Sequence, residues 1–188
     1  MSGDITDPLS LPQILGYCAT VLGITAFLQK DDMRLRGFIS AMSVLLITHF
    51  ILMGSYTAAL SAALAASRWW LTIFPWVRSR GRYFVPFYVC AFLTTAFFTY
   101  ERWFDLLPPM ASIGGTFALF YLHRLKMRLV LMCGGSLWCL HNVMALSYGP
   151  AVMEAFMIVS NITMMTRMVL EQRKLSRAVE DNKVSRFG

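Results

Sequence analysis

GFISAMSVLLITHFILMGSYTAALSAALAASRWWLTIFPW, residues 37–76, decides the fold. These forty residues carry one charged side chain, Arg68, and a break at Gly54-Ser55 near the middle. An α-helix rises about 1.5 Å per residue and needs about 20 apolar residues to cross a hydrocarbon core, so the run holds two crossings joined by a minimal turn. Helices joined so tightly must be antiparallel. Inside lipid every backbone N–H and C=O has to bond within its own segment, which makes helices the reading, and the alternating ten-residue strands of a barrel are absent.

Working outward, seven stretches meet the same requirement, some narrowly: about 11–29, 37–54, 56–76, 83–100, 106–122, 129–147 and 150–169. The 188 residues are 57% hydrophobic and 14% charged, with a mean hydropathy of +0.56, more apolar surface than a soluble domain can bury. No cleavable signal is expected, because apolar segments recur to about residue 170 instead of stopping after one short run. Cys18, Cys90, Cys133 and Cys139 all fall in apolar segments without a CxxC pair or a neighbouring His at ligand spacing, so they read as small hydrophobes and no metal site is expected.

The net charge of +7 is compatible with a nucleic-acid partner, but the placement of the basic residues gives a different reading. Lys30, Arg34 and Arg36 follow the first segment, Arg78, Arg80 and Arg82 the third, and Arg124, Lys126 and Arg128 the fifth. Arg167, Arg173, Lys174, Arg177, Lys183 and Arg186 follow the seventh. In a seven-helix layout fifteen of the seventeen Lys and Arg therefore lie on one side, with Arg102 opposite and Arg68 inside a helix. The positive-inside rule then puts the N-terminus outside and the C-terminus in the cytoplasm, and the partner expected for the charge is the lipid bilayer rather than nucleic acid. The polar residues 171–188 read as a solvated cytoplasmic tail that continues the last helix briefly and then frays.

The chain also repeats itself. A shift of 92 positions pairs Leu15 with Leu107, Gly23 with Gly115, Arg36 with Arg128, His49 with His141, Ser55 with Ser147 and Tyr56 with Tyr148. After a one-residue insertion Ala58 pairs with Ala151, Ala62 with Ala155 and Ser67 with Ser160. The expected fold class is all-α: two parallel three-helix repeats, about 11–76 and 106–169, joined by a linker helix at about 83–100. Parallel repeats about an axis along the membrane normal are one of the symmetric plans of transporters, whose sites lie near the midplane between repeats.

LKMRLVLMCGGSLWCLHNVMALSYGPAVMEAFMIVSNITMMTRM, residues 125–168, resembles the C-terminal half of the YgjV-type bacterial inner-membrane proteins. The first half, with LGITAFLQKDDMRLRG at 22–37 and THFILMGSYTAALSAALAASRWWLT at 48–72, is similar to the same family. The resemblance covers nearly the whole chain before the tail and implies an inner-membrane location without an activity. More distantly, the three-plus-one-plus-three layout is similar to SWEET and PQ-loop transporters, and Asn161 falls where those place a substrate-contacting Asn. The chain departs from them in two ways: Phe27-Leu28-Gln29 stands where their Pro-Gln signature belongs, and their hinge prolines are largely missing.

Arg68 stands out among the candidate site residues. Counted from residue 56 it lies about twelve residues into a segment of about 21, and a central Arg costs about 3 to well over 10 kcal/mol unless it faces protein or water. It either snorkels or pins two helices together, or points into a cavity and binds an anionic group with its planar guanidinium. Asn161 is its repeat partner, next to the Ser67–Ser160 match. Glu154 lies two turns before Asn161 on the same face, placed to pair with Arg68, to carry a proton, or to sit solvated at the interface. His49 and His141 offer either proton coupling or helix-to-helix hydrogen bonds.

Nothing resembles a nucleophile with its base or a phosphate loop, so an enzyme is not the expected class and no cofactor is implied. The expected function is a transporter or facilitator for a small, anion-leaning solute, with a homo-oligomer left open. The competing expectation is a non-transporting assembly or sensor protein whose polar residues only hold helices together.

Overall fold

A computed structural model describes residues 7–187 apart from 28, 30 and 72, and the side chains of these except 27, 32, 78, 172 and 174–187. Lys30 and the side chains of Arg78 and of the basic tail beyond Arg173 therefore lie outside the described set. The described residues are all-α, as the apolar runs require: α1 Leu11–Phe27, α2 Asp32–Leu52, α3 Tyr56–Leu71, α4 Pro75–Ser79, α5 Gly81–Thr99, α6 Leu107–Tyr121 after a 3-10 turn at Trp103–Leu106, α7 Arg124–Met144 and α8 Tyr148–Phe187. Among the described residues three segments are long and apolar enough to cross a bilayer, Met33–Leu52, Gly81–Thr99 and Tyr148–Glu171, and Leu11–Ala26 is a shorter apolar helix.

Helix ends depart from the apolar runs because capping and proline, not hydropathy, set them. The stretch 56–76 is not one helix. Phe74 takes an extended conformation ahead of Pro75, whose ring disfavours helical geometry in the residue before it, so α3 stops at Leu71 and a short α4 starts at the proline. Arg68 consequently occupies the last turn of a sixteen-residue helix instead of the middle of a longer one. At the other extreme α2 begins five residues before its apolar run, with the Asp31 carboxylate accepting from Arg34 N at 2.8 Å as its N-cap. Arg34 and Arg36 are thus helical, as are Lys126 and Arg128 on α7. α8 runs on to Phe187 instead of fraying soon after residue 170, since neither Gly nor Pro interrupts positions 151–187.

The packing closes a ring. α1 lies on α2, α2 on α3, α3 on α6, α6 on α7, α7 on α8 and α8 on α1, while α5 packs on α3 and α6. Ala19, Leu46, Phe50, Ala58, Ala59 and Met153 form the buried core, with Trp138 and Met157 against it. The turns between α2 and α3 and between α7 and α8 match bond for bond across 92 positions. Met53 N donates to His49 O and Ala145 N to His141 O; Ser55 N donates to Phe50 O at 2.9 Å and Ser147 N to Asn142 O at 2.8 Å. Both turns pass through a left-handed residue, Gly54 at φ 72° and Leu146 at φ 55°. Glycine adopts that conformation freely, whereas Leu146 is held in it at a cost of about 1–3 kcal/mol.

Candidate functional site

Three groups of polar side chains sit within this frame. The first lies at the end of the bundle that carries the two matched turns. His49, fully buried, donates from Nδ1 to Pro12 O at 2.6 Å, since a carbonyl only accepts, which leaves Nε2 against Ser147 Oγ at 2.6 Å. His141 makes the equivalent bond from Nδ1 to Phe104 O at 3.0 Å, and Phe104 is 92 positions after Pro12. Gln13, also fully buried, donates from Nε2 to Leu146 O at 2.7 Å and accepts from Tyr148 N at 3.2 Å, so an α1 side chain of the first half holds the α7–α8 turn of the second. Its counterpart by position is Asp105, which accepts from Arg102 N at 2.9 Å while Arg102 Nη2 reaches Ser55 Oγ at 3.3 Å, holding the α2–α3 turn. Each half therefore clamps the other's turn. The two histidines also differ: His49 Nε2 is bonded to Ser147, whereas His141 Nε2 is buried and unbonded.

The second group is built on Arg68. Its Nη1 donates to Ser112 O at 2.7 Å and to Thr116 Oγ1, both on α6, and Thr116 also donates to Ser112 O. The guanidinium passes beside Gly115, where a Cβ would stand in ordinary contact at 3.5 Å from Arg68 Nη2. The neighbouring Ser67 is exposed and meets Tyr88 Oη on α5 at 3.0 Å.

The third group runs along the α7–α8 contact. Arg128 Nη1 donates to Asn161 Oδ1 at 3.4 Å, and two turns away Glu154 Oε2 lies 3.3 Å from where a Cβ on Gly135 would be. Arg128, Gly135, Glu154 and Asn161 thus share one antiparallel row, with Ser160 half-buried beside them. Arg68 and its repeat partner Asn161 turn to different neighbours, and among the described residues Arg68 and Glu154 form no ion pair. A physical reason follows from the repeat. The position on α2 that matches Arg128 is Arg36, a second guanidinium, which offers Arg68 no acceptor, so Arg68 turns across to the carbonyl and hydroxyl of α6.

Gln13, Asp105, Arg102, Ser112, Thr116 and Arg128 were not singled out from sequence as site residues. Gln13 and Asp105 carried a usable signal, being polar residues at matched positions of the repeat, but their identities differ and the match is invisible to an identity scan.

Apolar helices able to cross a bilayer, joined by buried polar clamps and without a hydrophilic exterior along α5, define an α-helical integral membrane protein. A family of bacterial inner membrane proteins, Imp-YgjV, matches residues 10–172, and the chain belongs to that family. It is similar to the inner membrane protein YgjV of Escherichia coli strain K12, with 30% identity over 151 residues, 80% of each chain. No solved structure matches it.

Proposed function

We propose that the protein crosses the inner membrane seven times, as two parallel three-helix units joined by α5, with its N-terminus periplasmic and its C-terminus cytoplasmic. In this reading it is a transporter or facilitator for a small anionic solute held at the α7–α8 row. The matched clamps at positions 92 apart support the proposal, because equivalent bonds in the two halves are what two like-oriented units joined by a linker helix would make. Arg128 supplies the charge, Asn161 a donor and acceptor, and Glu154 a carboxylate able to exchange a proton. The competing reading, a non-transporting assembly or sensor protein, is favoured by one observation: Arg68, the most costly charge to place in a membrane, spends its Nη1 on protein atoms of α6.

Reporter fusions at residue 188 are expected to be active with a cytoplasmic reporter and silent with a periplasmic one; the reverse pattern overturns the seven-crossing layout. For the solute, detergent-purified protein is expected to melt higher in the presence of one or more small carboxylates or phosphate esters, since binding stabilises the fold by mass action. Arg128→Gln and Asn161→Ala should remove that shift, while Arg68→Leu should keep it with little loss of ligand-free stability, because Thr116 Oγ1 still donates to Ser112 O once the guanidinium is gone. A shift that survives in Arg128→Gln, or that vanishes in Arg68→Leu without loss of ligand-free stability, moves the site to Arg68. No shift with any member of the panel favours the non-transporting reading.

A further inference from the structure

At the end of α5 remote from the matched turns, Trp76, Ser79, Arg80, Arg82, Tyr83 and Phe84 line an open cleft of about 590 Å³. Two guanidinium groups are posed on its rim by aromatic faces: Arg80 lies over Trp76, 5.7 Å from the ring centroid, and Arg82 over Tyr83 at 4.7 Å. Such stacking holds a guanidinium in place without consuming its N–H donors, which stay free for an anion. Ser79, also on the lining, donates its hydroxyl to Trp76 O at 2.9 Å. No Asp or Glu occurs anywhere between residues 33 and 100, so this segment contributes no carboxylate to neutralise the pair.

The surroundings name the kind of anion. Phe74, Trp76 and Tyr83 are about half or more exposed, and Trp76 meets Phe74 and Phe84 in an aromatic cluster at the start of a helix able to cross a bilayer. Exposed aromatic side chains at the end of a spanning helix lie at the headgroup level. Below them along α5 the outward face continues with Phe87, 62% exposed, and Leu93, 56% exposed, a surface for acyl chains and not for water. A free anion would use the guanidinium pair and ignore this face; a phospholipid uses both.

We infer that the cleft between α4 and the start of α5 is a binding site for the phosphate of an anionic phospholipid, held by Arg80 and Arg82 with its acyl chains along Tyr83 and Phe87. Basic pockets of this kind on membrane proteins take anionic headgroups, and the attraction adds to the apolar contact. The site is separate from the α7–α8 row and does not depend on the transport reading.

The test uses the full chain in a zwitterionic detergent, with phosphatidylglycerol, phosphatidylcholine and inorganic phosphate as probes, read by native mass spectrometry and by melting temperature. Phosphatidylglycerol should give retained adducts and raise the melting temperature, and phosphatidylcholine should do so at least about five-fold more weakly. The Arg80→Gln/Arg82→Gln variant should lose that preference. A charge-matched control, Arg34→Gln/Lys126→Gln, should keep it. Raising the salt on the wild-type protein should weaken the preference without any substitution, a readout that does not rely on the variant folding. Equal binding of the two lipids, an equal loss in the control variant, or retention of the preference in Arg80→Gln/Arg82→Gln overturns the site. Stabilisation by inorganic phosphate matching that by phosphatidylglycerol would also overturn the lipid assignment, leaving a simple anion site.

Discussion

Gly149→Ala is expected to cost about 3 kcal/mol or more, lowering the melting temperature in detergent by about 6–12 °C and broadening the size-exclusion peak. Gly149 opens α8 where that helix meets α1, and a Cβ on it would stand 2.5 Å from the carbonyl carbon of Gly16, 2.6 Å from its oxygen and 2.7 Å from Tyr17 N. These are backbone atoms of another helix and cannot rotate away, so the substitution forces α1 and α8 apart. That separation also stretches bonds that cross the same junction, Gln13 to Leu146 at 2.7 Å and His49 to Ser147 at 2.6 Å. Gly23→Ala is the informative contrast. Its Cβ would meet Met153 Sδ at 2.7 Å and Met42 Sδ at 2.9 Å, the ends of flexible side chains that can move, and the loss should be clearly smaller. A wild-type melting temperature in Gly149→Ala would contradict the close approach of α1 and α8.

The second large effect separates two histidines that the sequence presents as equivalents. His49→Leu strands the Ser147 hydroxyl in a buried site, at about 1–3 kcal/mol, and removes a second bond to Pro12 O worth about 1 kcal/mol, so a total loss of about 2–4 kcal/mol is expected. His141→Leu removes one bond to Phe104 O, which still accepts from Leu107 N, and a ring nitrogen that had no partner, so about 1 kcal/mol is expected. Thermal melts of the two variants under identical conditions measure the difference. Equal losses would show that the two clamps carry the same weight and that Ser147 adds nothing at His49. Should the histidines instead couple protons to transport, the two substitutions would abolish uptake while leaving melting temperatures alike.

Hydropathy made the class of this protein readable directly, because a residue's preference for lipid over water belongs to the residue itself and sums along a helix. The repeat was legible for a related reason: identical residues recur wherever both halves need the same side chain, as His49 with His141 and Ser55 with Ser147 do. Helix limits were less legible. Hydropathy reports where a segment is apolar, while α3 ends at Leu71 because of Pro75 and α2 starts at its Asp31 cap. Least legible were the partners of the polar side chains. Arg68 and Asn161 stand at matching positions, yet one bonds α6 and the other α7, because the available acceptors differ once Arg36 occupies the place of Arg128. Likewise Gln13 and Asp105 share a position but not an identity: Gln13 bonds the other half's turn directly, whereas Asp105 holds Arg102, which reaches Ser55. Composition and periodicity are properties of a residue and its near neighbours; Arg68 meets Ser112 across 44 positions and Gln13 meets Tyr148 across 135, so those contacts exist only once the ring of helices has closed.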